Sequence, residues 1–184
     1  MKKCNLFIIS GPSGSGKSTI CDNIISKNPD IKYVVSHTTR SIRYDEKNNV
    51  DYRFVTEDSF IQLIDDGHFI EWANVHGKYY GTSFDSLNSI LDSGYNAILI
   101  IDVQGMKQLK LLYPNATTIF IDTPSVEELE KRLMSRGTES MTSLKMRLEN
   151  SIIETKSKML YDHYIVNDNI NDAIAEVETI ITGN

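Results

Sequence analysis

The sequence is poor in cysteine, and its two, Cys4 and Cys21, are too few for a disulfide framework and lack metal-ligand spacing. They read as free thiols in a reducing compartment, which points to the cytoplasm. Excess basic charge is also missing. The formal net charge is −6 at pH 7, which argues against a nucleic-acid surface or a polybasic membrane patch as the main role. Any anion this protein binds must be caught by local cationic groups. Long apolar runs are absent too: "MKKCNLFIIS" sets two lysines before a stretch that stops at Gly11-Pro12, too short for a signal-peptide core or a membrane span. It reads as a first strand. No repeat, low-complexity tract or linker divides the 184 residues, 40% of them hydrophobic, so one domain over 1–184 is expected.

What is present is an alternation of strand and helix. Leu6 to Ile9 is an apolar run, a glycine-rich turn follows, and Ile20, Cys21, Ile24 and Ile25 then recur at helical spacing until Asn28-Pro29. "NAILIID", "TTIFID" and "HYIVND" repeat the buried-strand pattern with helical segments between and after them. Continuous apolar strands alternating with helices predict a parallel sheet covered by helices, an α/β protein. Ser125 with Glu128 forms a capping-box pattern ahead of a helix that Gly137 ends, and Thr56 and Ser83 are weaker N-cap candidates. Residues 31 to 82 break the alternation. Short β-like pieces there ("KYVVS", "DYRFV", "FIEWANV") surround a helix from about Glu57 to Asp66 closed by Gly67, which predicts an insertion with its own small mixed sheet. The polar, basic stretch 137–150 suits a flap between two helices.

"GPSGSGKS" fits G-x-x-x-x-G-K-[ST] and sits between a buried strand and a helix start, where a phosphate-cradling loop belongs. Gly11, Pro12, Ser13, Gly14, Ser15, Gly16, Lys17, Ser18 and Thr19 are therefore the residues expected to bind a nucleoside triphosphate. Glycines allow backbone N–H groups to close on phosphate oxygens, Lys17 reaches the β and γ phosphates, and Ser18 is the candidate Mg²⁺ ligand. The bland reading is a glycine-rich turn with a surface lysine. Arg40 and Arg43 in "SHTTRSIR" could grip a second phosphate or be two solvated surface arginines. Tyr52, Tyr80 and Glu71 fall in the same inserted region; separately each reads as packing or surface, together they describe a pocket.

With "GPSGSGKST", "SHTTRSIR", "DYRFV", "FIEWANVHGKYYGTS", "IDVQGMKQLK", "RLMSRGTES" and "IVND" in this order, the chain resembles the guanylate kinases over essentially its full length. The resemblance implies a P-loop NTPase-type parallel sheet flanked by helices as core (1–33, 84–135 and 151–184), an inserted small mixed α/β GMP-binding region (34–83) and a helical lid (136–150). It implies Mg²⁺-dependent transfer of phosphate from ATP to GMP or dGMP. By resemblance Glu71 and Thr82, with Ser36 nearby, face the guanine edge, and Asp102 approaches it. Arg40, Arg43, Tyr52 and Tyr80 hold the GMP phosphate. Lys17, Arg40, Arg132, Arg136 and Arg147 act on the transferring group, the last three from the lid side. Asn167 matches a position near the adenine, or is a strand-end residue opening the last helix. Ile100 departs from the family, which usually carries an acid there to help place Mg²⁺ or Lys17, so that Asp102 is left to serve metal or base. Two rivals stand beside this reading: a non-catalytic interaction module of the same fold, and a P-loop kinase of a sugar phosphate. Neither nucleic acid nor membrane is an expected partner, and the state is monomer or homo-oligomer.

Overall fold

The structure is a computed structural model in which residues 4–75, 77–135 and 141–183 are described. The chain divides into two compact units, Met1–Leu6 with Asp30–Ala116 and Phe7–Pro29 with Thr117–Asn184.

In the second unit, which holds all of β1 (Leu6–Ser10) but its first residue, that strand is buried along its length, as its run of apolar residues demands. It pairs in parallel with β8 (Thr117–Asp122), which pairs in parallel with β9 (His163–Val166). Between β1 and α1 (Lys17–Lys27) lies the glycine loop, and α1 buries Ile20, Cys21 and Ile24. Its end comes at Asn28, whose backbone N–H and side-chain amide both donate to the Ile24 carbonyl. Proline at the next position prevents another turn. α5 (Val126–Ser135) starts as expected, with Ser125 Oγ accepting from Glu128 N–H at 3.2 Å. It buries Leu129 and Leu133, against which Leu148 of α6 (Met141–Lys156) packs. α6 continues unbroken through position 150, where the sequence predicts a change from lid to core. A 3-10 turn at Ser157–Leu160 leads into β9, and α7 (Ile170–Thr182) packs on α1. Gly137, the expected end of α5, lies outside the described residues.

In the first unit β2 (Ile31–Tyr33) runs parallel to β7 (Asn96–Ile100). The sequence predicts "KYVVS" as part of the insertion. The structure puts its beginning beside β7 instead, because Ile31 and Val34 are fully buried and Val34 N–H donates to the Ile98 carbonyl at 2.9 Å. The small mixed sheet is present, in the order β4-β3-β6-β5, from β3 (His37–Thr38), β4 (Arg53–Phe54), β5 (Phe69–Val75) and β6 (Lys78–Ser83). β3 and β4 are parallel; β3–β6 and β5–β6 are antiparallel. α2 (Glu57–Asp65) has Thr56 as N-cap and ends before Gly67, whose φ of +66° stops it. Its Phe60 is completely buried and stacks on Phe69 and Tyr79. α3 (Phe84–Asp92) is capped by Ser83, and α4 (Val103–Leu112) by Asp102. The parallel strands flanked by helices, with the inserted mixed sheet, are the α/β architecture that the sequence predicts.

Candidate active site

The glycine loop is built by close approach. Gly11, at φ +140°, lies so near the Ile121 carbonyl that a Cβ would collide with it, and Gly14 and Gly16 also take positive φ. A Cβ on Gly16 would strike the Asn167 amide nitrogen. That amide donates to the Ser15 carbonyl at 2.8 Å, while Asn167 N–H donates to the Asp122 carbonyl, so Asn167 braces the loop from below. The residue opening α7 is Asn169, whose side chain accepts from Asn171 N–H. Lys17 Nζ donates to the carbonyls of Gly11 and Pro12 at 2.6 and 2.8 Å, which draws the ammonium back over its own loop. Ser18 and Thr19 are exposed on the first turn of α1, and the buried Ser15 hydroxyl has no hydrogen-bond partner among the described residues. Positive backbone dipole, glycine clearance and a lysine together make an anion site.

The first unit holds a second set of groups. Glu71 on β5 faces Thr82 on β6 in the antiparallel ladder, and both are buried. Thr82 Oγ1 donates to Glu71 Oε1 at 2.6 Å and lies 3.0 Å from Ser36 Oγ. Three side chains from distant positions thus form one buried polar chain. Burial pushes the Glu71 carboxyl up to about 7, with the Thr82 hydrogen bonds opposing and the Asp102 charge adding to the shift. An ionisable acid kept this dry needs a partner with donors. Asp102 caps α4, with Oδ1 accepting from Gly105 N–H at 2.8 Å and Oδ2 from the Gln104 amide at 3.0 Å.

The expected phosphate-holding groups also converge. The Arg40 guanidinium lies 5.5 Å from the Tyr52 ring, and the Tyr52 and Tyr80 rings are 5.9 Å apart. Burial, with Tyr80 nearby, pushes the Tyr52 hydroxyl up to about 12, so it stays a donor. One residue the sequence reading missed organises this cluster. Glu46 takes Arg40 in a two-pronged pair, at 2.9 and 2.7 Å, and also accepts from Arg43 N–H at 2.8 Å. Arg43 itself is exposed, its Nη1 3.7 Å from Glu46. One of two adjacent acids in "RYDEKNN", Glu46 carries no spacing signal that would have singled it out.

Arg132 is half-buried on α5, its Nε donating to Glu128 one turn earlier at 2.8 Å. Arg136 and the Arg147 side chain lie outside the described residues, so the three expected lid arginines are not seen together. Ile100 ends β7 as a partly buried apolar residue.

Comparison with known proteins identifies the family. The family model described as guanylate kinase matches residues 3–184. A guanylate kinase of Pseudoalteromonas translucida is 45% identical, with 96% of this chain and 86% of the relative covered. One of Clostridium perfringens is 43% identical, with 96% and 82% covered. The crystal structure of guanylate kinase from Anaplasma phagocytophilum superposes with a TM-score of 0.82 at 29% identity, covering 100% of this chain and 87% of that one. The chain belongs to the guanylate kinase family.

Proposed function

We propose that this protein transfers the γ-phosphoryl group of ATP to GMP, giving ADP and GDP, with Glu71 as the reader of the base. The observation that carries the assignment is the buried chain Ser36–Thr82–Glu71. Guanine presents N1–H and N2–H₂ as adjacent donors and O6 as an acceptor, so a carboxylate beside a hydroxyl matches it in kind. Adenine would present a lone pair to the carboxylate and an amino group to the hydroxyl, leaving buried polar groups unpaired. A sugar phosphate has no paired N–H edge at all, and a purely protein-binding module has no use for the intact loop from Gly11 to Ser18.

Arg40, Arg43, Tyr52 and Tyr80 hold the GMP phosphate, with Glu46 fixing the plane of the Arg40 guanidinium. The loop amides and Lys17 hold the ATP phosphates, Lys17 exchanging its loop carbonyls for phosphate oxygens. Arg132, with Arg136 and Arg147, supplies positive charge to the transferring group, where negative charge spreads over three oxygens. No side chain acts as a nucleophile; the GMP phosphate attacks in line, and positioning carries the rate. Ser18 offers an exposed oxygen donor at the head of α1, which fits Mg²⁺, a cation that takes few protein ligands and keeps phosphate oxygens and water. The ion would be held there and would supply charge neutralisation. Ile100 offers it no ligand, and Asp102 is engaged in capping α4. The reducing cytoplasm is the compartment consistent with thiols at Cys4 and Cys21.

The test measures ADP formation with GMP, dGMP, AMP, CMP and UMP as acceptors, for the parent protein and for Lys17→Ala. The expected result is turnover with the guanine nucleotides alone and its loss in the folded variant. Turnover by Lys17→Ala near the parent rate would overturn the phosphate-loop assignment.

A further inference from the structure

Strand β5 is an edge of the small sheet, and α4 packs beside it. An edge strand presents backbone groups that lack a strand partner on one side. Here one side chain does the work of a missing strand. Gln108 Oε1 accepts from Trp72 N–H at 3.2 Å, and Gln108 Nε2 donates to the Trp72 carbonyl at 2.8 Å. Trp72 is the residue after Glu71. The pairing of β5 with β6 slips between Phe69 and Glu71, so the ladder is irregular just where the acid must be aimed. A second constraint next to that slip fixes which way Glu71 points.

One helical turn before Gln108, Gly105 faces the same acid. A Cβ there would strike Glu71 Oε2 and stand 3.0 Å from its Cδ. Backbone geometry does not ask for glycine at this position, since Gly105 is helical and is not among the residues of positive φ. Alanine would be the better helix former. The missing side chain is accounted for by the carboxylate that fills its space.

We propose that α4 sets the guanine specificity of this protein, Gln108 holding the β5 backbone beside Glu71 and Gly105 leaving the space that Glu71 Oε2 occupies. Both are positioning residues, acting through Glu71, and the proposal rests on Glu71 reading the base. A residue that served only helix stability would behave differently. Losing its role would lower the melting temperature and leave substrate discrimination alone, and Gly105→Ala would then be neutral or beneficial in every respect.

The experiment compares steady-state kinetics with GMP, AMP and ATP varied in turn, and thermal melting, for the parent, Gln108→Met, Gly105→Ala and Glu71→Gln. Met keeps the length and helix propensity of Gln without its amide. The expected result is a rise of about 10-fold in KM for GMP in both α4 variants. The GMP-to-AMP preference should narrow, KM for ATP should stay within about twofold of the parent, and Gly105→Ala should melt no lower than the parent. Folded α4 variants with unchanged KM for GMP would overturn the proposal, as would a Gly105→Ala protein that simply unfolds. If Gln108→Met fails to fold, Gly105→Ala decides alone. Discrimination lost in Glu71→Gln but kept in both α4 variants refutes the role of α4 only. Discrimination unchanged in Glu71→Gln refutes the base-reading assignment, and this proposal with it.

Discussion

At Glu71 burial sets the chemistry before any ligand arrives. Its carboxyl, raised from the usual 4.5 to about 7, is half protonated near neutrality. Guanine N–H donors favour the ionised form, so binding GMP should release a proton. KM for GMP is therefore expected to rise as pH falls below about 7, approaching tenfold per unit. In Glu71→Gln this component should vanish, and identical profiles for the two proteins would count against the acid as the base reader. The same shift affects folding. Because the folded protein prefers the neutral acid, the contribution to stability is complete below pH 4.5 and is lost as pH rises through about 7. The loss is on the order of 3 kcal/mol at most, and melting of Glu71→Gln at pH 5 and 8 should not show it. Glu46 is the opposite kind of acid. Burial works against its charge, yet the hydrogen bonds from Arg40 and Arg43 N–H hold it below the usual carboxylate range. Glu46→Gln should free the Arg40 guanidinium to rotate and raise KM for GMP about 10-fold, leaving KM for ATP unaltered. A lower KM for GMP would instead show that the carboxylate competes with the acceptor phosphate.

Among the elements, the turn from β9 into α7 carries a consequence for the donor site. Asn167 lies beneath the glycine loop and its amide is bonded to Ser15, where Gly16 admits it for lack of a Cβ. Asn167→Ala should loosen the loop that holds the triphosphate, raising KM for ATP and for other nucleoside triphosphate donors by similar factors. A loss confined to ATP would mark Asn167 as an adenine contact instead. One donor series thereby separates the loop brace seen in the structure from the adenine contact that the resemblance implies.

For the whole molecule, the acceptor groups from Ser36 to Asp102 belong to one compact unit and the glycine loop to the other. GMP alone should therefore slow amide hydrogen exchange mainly in β3, β5 and β6, and ATP alone mainly around Gly11 to Ile20, each ligand protecting what it touches. Protection of residues 11–20 by GMP alone, equal to that given by ATP, would mean that the acceptor binds at the phosphate loop.

Features that depend on neighbours in the chain are legible in the sequence. The buried strands, the caps at Thr56, Ser83 and Ser125, the end of α1 at Asn28 and the glycine loop all follow from spacing and residue type over a few positions. The resemblance to guanylate kinases singled out Glu71 and Thr82 as base contacts, but not what holds them. That was decided by tertiary structure. Gln108 meets Trp72 across 36 positions and Asn167 meets Ser15 across 152. Gly105 makes room for an acid on another element, and β2 joins β7 because Ile31 and Val34 bury there. Glu46 shows that even a short separation can be illegible, since a two-pronged ion pair six residues apart needs a loop whose path no periodicity describes. Local pattern encodes backbone conformation and amphipathic faces, whereas burial, clearance and the pKa of an acid arise from atoms that only folding brings together.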